Sequence, residues 1–246
     1  MSYSIEIVVP VLNEEQGLPS SISTLHKFLS TELKEYNWLI TIADNGSTDS
    51  TLDIAKQLSA EYGKIKCIHL FERGRGRALR KAWLDSTADV VAYTDVDLST
   101  DLNVLPSMIH SIRDDGYDIV IGSRLKNDSQ VIGRSLKREF ISRSYSLIVK
   151  FMFWSHIRDF QCGFKVMAKT VVDDLIPLVE DTGWFFDTEL LILAEKNKYR
   201  IKEKAVKWID DPDSRVKIIK TAYIDLRGLF RLRFGGLSKV SGKIAR

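Results

Sequence analysis

The chain carries the sequence VVAYTDVDLST at residues 90–100, where an apolar run leads directly into two carboxylates. Residues 90–94 are β-branched or aromatic apart from one alanine, and this composition predicts a buried strand. Asp95 and Asp97 follow at the end of that strand, and ligands of open α/β sheets bind beyond the carboxyl ends of the strands. The two acids are therefore either ordinary loop residues that cap the next helix, or a hard-cation site that holds a phosphorylated ligand.

Length and composition limit the possible classes of protein. The chain has 246 residues, 44% of them hydrophobic and 28% charged, which suits the folded core of one large or two small domains. A net charge of +3 does not indicate a nucleic-acid binder. No apolar stretch of the sequence reaches the roughly 20 residues that cross a bilayer, so we expect a soluble or peripheral protein without a transmembrane segment.

Strand-like and helix-like patterns alternate in the first half of the chain. Apolar residues recur at helical spacing from Leu18 onward, and Asn13 is predicted to be the N-cap of this first helix. Such alternation predicts a mostly parallel sheet flanked by helices, a Rossmann-like α/β fold with right-handed crossovers. The predicted strands are residues 5–9, 38–43, 66–70, 90–94 and 117–122.

The pattern changes after Arg124, but no linker-like segment interrupts the chain. Residues 125–134 are polar and contain glycine, and they are predicted to form a mobile loop. Because nothing divides the chain, we expect a single domain over residues 1–246. The elements predicted in this half are a long helix at 136–154, a strand at 163–167, a helix at 188–196 and a strand at 201–206.

Acidic and turn-forming residues follow three of the predicted strands, at 10–13, 44–46 and 95–97. The carboxyl ends of parallel strands meet at one edge of a sheet, so these segments form a cleft able to hold a base, a ribose and a metal-bound diphosphate. Each segment taken alone is better explained as a turn, since Asn, Asp and Gly are common turn residues. The three segments together favour a ligand site.

Four motifs of the first half resemble the successive signatures of the family 2 glycosyltransferases, which have the GT-A fold. They are VPVLNEE (9–15), DNGSTD (44–49), RGRG (73–76) and DVDLS (95–99). Motifs of the second half resemble the polyprenyl-phosphate sugar synthases, and QCGFK is closer to the dolichyl-phosphate glucosyltransferase branch than to the mannose branch. They are GSR (122–124), LKR (136–138), RDFQCGFK (158–165) and WFFDTEL (184–190). The resemblance implies a nucleotide-sugar-binding half at residues 1–124 and an acceptor-binding half at residues 125–246.

The resemblance also implies how the donor is bound. A nucleotide sugar loses a diphosphate whose charge must be neutralised, and Mg²⁺ or Mn²⁺ would do this as a Lewis acid. Asp97 would hold the metal, with Asp95 assisting or binding the ribose. Asp44 would accept a hydrogen bond from the nucleobase, and a loop containing Arg75 would approach the diphosphate. The expected nucleotide-binding residues are Pro10, Leu12, Glu14, Asp44, Gly46, Arg75 and Asp95.

Arg124, Arg138 and Arg215 match family positions that bind an acceptor phosphate, a role that suits guanidinium because it binds phosphate oxygens bidentately. Taken alone, Arg138 is better explained as a surface charge. A phosphate monoester is largely dianionic at about pH 7 and attacks without a base, whereas a hydroxyl acceptor needs one, and Asp187 is then the candidate. With a phosphate acceptor, Asp187 orients the sugar or caps the next helix, and Gln161 contacts the sugar or satisfies a buried backbone group. The candidate catalytic residues are Asp95, Asp97, Arg124 and Asp187.

These inferences describe an inverting, metal-dependent transferase that moves a hexose, with glucose favoured, onto dolichyl or polyprenyl phosphate. UDP-glucose is the favoured donor and GDP-mannose the second. We expect the reaction at the cytoplasmic face of a membrane, with peripheral contact through the apolar stretches 147–154 and 226–234. A packed core helix explains the first stretch equally well. The alternatives are transfer to a glycan or lipid hydroxyl, a dolichyl-phosphate mannose synthase, and a nucleotide-sugar-binding module without turnover.

Overall fold

The structure, a computed structural model, describes residues 3–210 and 218–236. Its strands are β1 (Ser4–Val11), β2 (Asn37–Asn45), β3 (Ile65–Leu70), β4 (Val90–Thr94), β5 (Ile119–Ser123), β6 (Gln130–Ile132), β7 (Phe164–Ala168), β8 (Ile201–Ala205) and β9 (Lys207–Ile209). Its helices are α1 (Leu18–Glu32), α2 (Thr51–Glu61), α3 (Arg75–Leu84), α4 (Leu105–Arg113), α5 (Leu136–Phe153), α6 (Lys169–Leu175), α7 (Phe186–Lys196) and α8 (Ile218–Arg231). All the strands predicted from the sequence are present, with ends shifted by a few residues.

The central sheet has seven strands in the order β3-β2-β1-β4-β7-β5-β8. Its strands run parallel except β7, which pairs antiparallel with both β4 and β5. The mostly parallel sheet predicted from the sequence is therefore confirmed. The direction of β7 has no signature in the sequence, because side chains alternate between the two faces in the same way for both directions. Its consequence is that the start of β7 lies at the same edge as the carboxyl ends of its neighbours.

The central strands β1, β4 and β5 are buried on both faces of the sheet, as their apolar sequences predict. In β1, Val8 packs into one core cluster, while Ile7 and Val9 pack into the other. Helix α8 joins the first cluster through Leu229, and Leu232, the residue after the helix, joins it too, so α8 packs on the same core as the sheet. Burying a side chain such as these leucines contributes about 1.5–3 kcal/mol.

The prediction that Asn13 is the N-cap of α1 is wrong. The helix begins at Leu18, and Gly17 occupies the N-cap position. Asn13 instead has a left-handed φ of 57°, which short polar side chains tolerate. Its Oδ1 accepts a hydrogen bond of 2.8 Å from the backbone N–H of Thr48. This bond ties the loop after β1 to the loop after β2.

The segment 125–134, predicted to be a mobile loop, contains a short strand that was not predicted, because residues 130–132 form β6. This strand pairs in parallel with β9, and the register places Val131 beside Trp208. A β-bridge joins Trp208 to Thr100, and the backbone N–H of Ile209 donates to the carbonyl of Ser99 at 2.9 Å. The β6–β9 pair therefore lies against the loop that follows Asp95 and Asp97.

Candidate active site

The loops after β1 and β2 meet at the carboxyl edge of the sheet. The backbone N–H of Glu14 donates to Thr51 Oγ1 at 2.8 Å, which links the loop after β1 to the start of α2. Gly46 has a φ of 74°, and a Cβ there would lie 3.1 Å from the carbonyl oxygen of Phe71, so glycine permits this close approach. The structure thus places on two adjoining strand ends the predicted residues Pro10, Leu12, Glu14, Asp44 and Gly46.

Asp44 is fully buried beneath these loops. Its Oδ2 lies 2.6 Å from Nδ1 of His69, the residue beside it in the register of β2 and β3. Its Oδ1 is buried and has no hydrogen-bond partner among the described residues. A buried acceptor without a donor suits the predicted bond from a nucleobase N–H. The pairing with His69 was not predicted, because the sequence shows a lone histidine in a strand and no partner for it.

Asp95 and Asp97 lie just beyond β4, as predicted. The side chain of Asp95 is 41% exposed, and its Oδ1 accepts a hydrogen bond of 2.7 Å from Arg75 Nη2. Asp97 is exposed, and its Oδ1 accepts from the backbone N–H of Ser99 at 2.9 Å. A cavity of about 450 Å³ opens beside Asp97, lined by Glu14, Gly17, Ser21, Val96, Asp97, Leu98, Ser99, Ile209 and Asp210.

The carboxylates at this edge suit a metal ion that takes most of its other ligands from a bound phosphate and from water. No group of three or more His, Cys, Asp or Glu side chains gathers as a metal site within residues 3–210 and 218–236. Mg²⁺, however, commonly binds one or two carboxylates and completes its coordination with substrate phosphates and water. Asp95 and Asp97, both reached by solvent, supply that number of carboxylates.

A buried group of charges connects this edge to the second half of the chain. Arg75 Nη1 donates to Asp187 Oδ2 at 2.6 Å while its Nη2 reaches Asp95, so one guanidinium bridges two acids. Tyr93 donates to Asp187 Oδ1 at 2.8 Å, and the Lys165 ammonium lies 3.1 Å from the same oxygen. We call Arg75, Tyr93, Lys165 and Asp187 the ion cluster. Arg75 is the first residue of α3 and is buried, so it does not lie in a loop as the sequence suggested.

The ion cluster determines the chemistry available to Asp187. Burial alone would raise the pKa of Asp187, but the Lys165 ammonium and the Arg75 guanidinium outweigh it and hold that pKa below its usual value. A carboxylate with low proton affinity, whose two oxygens already accept hydrogen bonds, is poorly suited to act as a base. Asp187 also does not cap α7, because Phe185 occupies the N-cap position. Lys165 was missed as a site residue, although a lysine inside an apolar strand was a visible signal.

Arg124 follows β5 at the same edge and is held by Asp159. Its Nε and Nη2 donate to the two carboxylate oxygens at 2.8 and 2.9 Å, and its backbone N–H donates at 2.9 Å. Burial would raise the pKa of Asp159, but Arg124 lowers it to about 2. Asp159 therefore holds the Arg124 guanidinium through Nε and Nη2, and Nη1 is the guanidinium nitrogen that does not donate to Asp159.

Arg134 was not predicted and lies beside Arg124. Both guanidinium groups sit over the ring of Trp208, at 5.5 Å for Arg124 and 5.7 Å for Arg134. Arg134 pairs with Glu139 at 2.9 Å, and only 8% of its side chain is exposed. Burial lowers the pKa of Arg134, and the neighbouring charge of Arg124 lowers it further. An anion bound here would relieve that repulsion.

Arg138 and Arg215 are the other two arginines predicted to bind the acceptor phosphate. Arg138 lies on the first turn of α5 and donates to Asp210 Oδ1 at 2.5 Å, and Asp210 lines the cavity beside Asp97. Arg215 lies outside the described residues, as do residues 237–246 of the basic C-terminal end. Arg138 is therefore placed near the predicted site by its contact with Asp210, just after β9, rather than by its own helix alone.

Gln161, a predicted sugar-binding residue, is half-buried beside α8. Its Nε2 donates to Asp225 Oδ2 at 2.7 Å, and Asp225 is buried. Burial raises the pKa of Asp225 to about 7, with Asp181 and Asp187 adding to the rise. Asp225 was not predicted, because an acid on an amphipathic helix resembles any solvated charge in the sequence.

Helices α5 and α8 expose large apolar side chains. On α5 Leu136, Phe140, Leu147 and Phe151 are spaced four or seven positions apart, which places them on one side of the helix. The stretch 147–154 is both surface and core, because Val149 and Phe153 are buried. No helix in the part of the chain that the structure describes has the length and hydrophobicity needed to cross a membrane. The exposed residues are Leu136, Phe140, Leu147, Ile148 and Phe151 on α5, Trp154 just after it, and Tyr223, Ile224, Leu226, Phe230 and Phe234 on α8 and just after it.

Comparison with known sequences gives matches over most of the chain. The model of the family described as "Glycosyl transferase family 2" matches residues 6–176. A dolichyl-phosphate beta-glucosyltransferase of Drosophila melanogaster is 33% identical over 87% of this chain and 70% of its own length. The enzyme of the same name from Dictyostelium discoideum is 30% identical over 94% of this chain and 74% of its own length. Glycosyltransferase AglD of Haloferax volcanii is 34% identical over 88% of this chain, which spans only 35% of that protein.

Solved structures match the fold. A crystal structure of glucosyl-3-phosphoglycerate synthase from Mycobacterium tuberculosis with UDP aligns with a TM-score of 0.69 at 17% identity, covering 97% of this chain and 80% of that one. The same enzyme with Mn²⁺ and UDP-glucose aligns with a TM-score of 0.70 at 15% identity, covering 95% of this chain and 79% of that one. At such identities the likeness shows the fold alone. The GT-A fold predicted from the sequence is confirmed.

Proposed function

Because the chain belongs to glycosyl transferase family 2, we propose that it transfers glucose from UDP-glucose to the phosphate of a dolichyl or another polyprenyl phosphate, with inversion at the anomeric carbon. That it is a hexosyltransferase follows from the family and its named relatives. The choice of sugar and acceptor is supported by two relatives that are named dolichyl-phosphate beta-glucosyltransferases. The choice of UDP is supported by the glucosyltransferase of the same fold that was crystallised with UDP-glucose.

The observation that carries the proposal is the distribution of charge across the site. Arg124 and Arg134 share one indole ring on the acceptor side, and these buried cations suit a ligand that brings its own negative charge. Asp187, near the centre, is held ionised by Lys165 and Arg75 and does not offer a base. A lipid phosphate needs the cations and does not need the base. We therefore favour the phosphate over a glycan or lipid hydroxyl, which would require Asp187 to accept a proton.

Donor binding would use the three strand ends. Asp44 would accept a hydrogen bond from the nucleobase through Oδ1, while Pro10, Leu12, Glu14 and Gly46 enclose the base and ribose. Mg²⁺ or Mn²⁺, held by Asp95 and Asp97, would neutralise the charge of the departing diphosphate as a Lewis acid. Arg75 contributes a fixed positive charge at the same edge, because the ion cluster holds it against Asp95.

The transfer itself is a single displacement. The Nη1 side of Arg124, together with Arg134 and Arg138, would hold the lipid phosphate with one oxygen facing the anomeric carbon. A bond forms from that oxygen to the carbon, and the bond from the carbon to the diphosphate oxygen breaks, its electron pair leaving with UDP. Attack opposite the leaving group inverts the anomeric configuration. No proton is removed, because the attacking phosphate is mostly a dianion at about pH 7.

We further propose that the protein contacts the cytoplasmic face of a membrane as a peripheral protein. The lipid tail of the acceptor is confined to a bilayer, so the enzyme must approach its surface. The exposed apolar side of α5, with Phe151 and Trp154 at its end, is suited to lie in the interface, and neighbouring lysines and arginines would attract anionic lipids. Residues 1–124 would then bind the donor, and residues 125–246 would bind the acceptor and the membrane.

The test is transfer of radiolabelled sugar by the purified chain with Mn²⁺ in detergent micelles. Four combinations pair UDP-glucose or GDP-mannose with dolichyl phosphate or with dolichol, which has a hydroxyl in place of the phosphate. We expect a product from UDP-glucose and dolichyl phosphate and none from dolichol. Transfer to dolichol would support the hydroxyl mechanism, transfer from GDP-mannose would support the mannose branch, and nucleotide-sugar binding without any product would indicate a binding module.

A further inference from the structure

The segment 159–163 joins the donor and acceptor sides of the site. At its start, Asp159 pairs with Arg124. At its end, Gly163 packs so closely on Asp95 that a Cβ would collide with the carboxylate, and its carbonyl accepts from the Asp95 N–H at 3.2 Å. Gln161 lies midway, with its backbone N–H held by Asp159 Oδ1 at 3.1 Å. A sugar that passes from a diphosphate near Asp95 to a phosphate near Arg124 therefore lies beside Gln161.

Asp225 reaches this midpoint from α8. It is only 2% exposed, and its Oδ2 accepts the hydrogen bond of 2.7 Å from Gln161 Nε2. The helix is held close because Gly228, one turn further along, packs on the ring of Phe185, where any Cβ would collide. The position of Asp225 is thus fixed by the packing of its own helix at Gly228 and by the hydrogen bond from Gln161.

One oxygen of this carboxylate is unused. Asp225 Oδ1 is buried and has no hydrogen-bond partner in residues 3–210 and 218–236. The titratable groups that influence Asp225 are Asp181, from the loop before α7, Asp187 on α7, and Tyr145 on α5, and none of them is a cation. A buried acceptor without a donor is unfavourable, so Asp225 would gain most from a ligand that brings neutral O–H groups.

We propose that Asp225 binds the transferred hexose, with Oδ1 accepting a hydrogen bond from a sugar hydroxyl while Oδ2 orients the Gln161 amide. The inference rests on the proposed function, because it needs a nucleotide hexose in the cleft. Two adjacent polar groups at fixed angles contact the hydroxyls of one hexose epimer better than those of another. The Asp225–Gln161 pair is therefore a specificity determinant contributed by the last helix of the described chain.

The experiment measures binding of UDP, UDP-glucose and UDP-galactose to the whole chain by calorimetry with Mn²⁺. Asp225→Asn preserves shape and can still accept from Gln161, but it replaces the charged oxygens. We expect it to leave the Kd of UDP unchanged, to weaken UDP-glucose about tenfold and to reduce the preference for UDP-glucose over UDP-galactose. Gln161→Ala, which alters the half-buried member of the pair, should weaken UDP-glucose in the same selective way.

Glu6→Gln is the control, because Glu6 is a buried acid of β1 bonded to Thr41, outside the site, and it should bind all three ligands normally. The inference is overturned if both site variants retain the affinity and preference of the wild type. It is equally overturned if UDP binding falls as much as UDP-glucose binding, since that indicates a structural role. If the wild-type chain binds no UDP-hexose, the proposed function itself fails. If it binds UDP-glucose but transfers nothing to dolichyl phosphate, only the proposed acceptor fails.

Discussion

Asp187 and Asp225 are both buried carboxylates of the second half of the chain, and their surroundings are opposite. Asp187 contacts Arg75, Lys165 and Tyr93, and its pKa is held below the usual value. Asp225 has an amide as its partner and two acids nearby, and its pKa is raised to about 7. The folded protein thus stabilises Asp187 as an anion, whereas Asp225 lacks a hydrogen-bond donor for one of its oxygens among the described residues.

Asp187 is therefore a carboxylate that stabilises the folded protein, whereas Asp225 is one that we expect to bind a ligand. Removing one member of a buried, paired set leaves an uncompensated charge, so the ion cluster should matter for folding. A buried carboxylate that lacks a cation and a full set of hydrogen-bond donors lowers the stability of the fold, which is typical of groups retained for binding. Asp97, exposed at the end of β4, is a third case, where neither folding cost nor folding gain is expected.

The largest effect is expected for Lys165→Met. The side chain of Lys165 is fully buried, and its loss would leave Asp187 with Arg75 as its remaining cation. We expect the free energy of unfolding, measured by urea denaturation, to fall by about 3–5 kcal/mol. The control is Lys169→Met, which breaks the Lys169–Asp173 pair at the surface of α6 and should cost less than about 1 kcal/mol. Equal effects of the two variants would contradict the role given to the ion cluster.

Asp97→Asn should affect activity and not stability. Asparagine can still accept from the Ser99 N–H, so the loop is preserved. We expect turnover of UDP-glucose to fall by about 10²–10³-fold, corresponding to roughly 3–4 kcal/mol of transition-state stabilisation. The unfolding free energy should remain within about 0.5 kcal/mol of the wild type. A variant with full turnover would remove the proposed metal role of Asp97.

Asp225→Asn should stabilise the protein at neutral pH. Folding raises the pKa of Asp225 from 3.8 to about 7, so the folded protein favours the protonated carboxyl. The free energy of unfolding therefore falls as the pH rises between those two values. Asparagine cannot ionise, and the variant should exceed the wild type by about 1–3 kcal/mol at a pH of about 8. The difference between the two proteins should grow from about pH 4 to pH 7 and then level off. A difference that does not change with pH would show that Asp225 titrates normally.

Arg134→Ala should give the smallest effect and tests the acceptor side. We expect KM for dolichyl phosphate to rise about five- to tenfold, roughly 1 kcal/mol, because one phosphate-binding cation is removed. KM for UDP-glucose should be unchanged. Arg143→Ala is the matched control, since Arg143 pairs with the same Glu139 from an exposed position on α5. If Arg143→Ala raises KM for the lipid as much, surface attraction and not a defined phosphate site is responsible.

The elements of the fold could be predicted because their signals are local. The strands predicted at 5–9, 38–43, 90–94 and 117–122 were largely apolar runs, and the acids after β1, β2 and β4 were visible as turn residues at strand ends. The motifs were also contiguous, so the family resemblance needed no tertiary information. Asp44, Asp95 and Asp97 lie where the sequence placed them, at one edge of the sheet.

The partners of the charged residues could not be predicted in this way. Arg75 meets Asp187 across 112 positions, and Gln161 meets Asp225 across 64, while Arg124 is matched with Asp159 and shares Trp208 with Arg134. No local period relates such residues, because their distance depends on how distant elements pack.

By itself, the sequence determined the strands and helices, the mostly parallel sheet and the edge at which ligands would bind, since hydrophobic periodicity and turn chemistry act over a few residues. Only the tertiary structure decided that β7 runs antiparallel, which brings the segment 159–163 to that edge between Asp95 and Arg124. It also decided which carboxylates are neutralised and which are not. Burial and the choice of neighbours set the state of a charge, and both are properties of the packed chain.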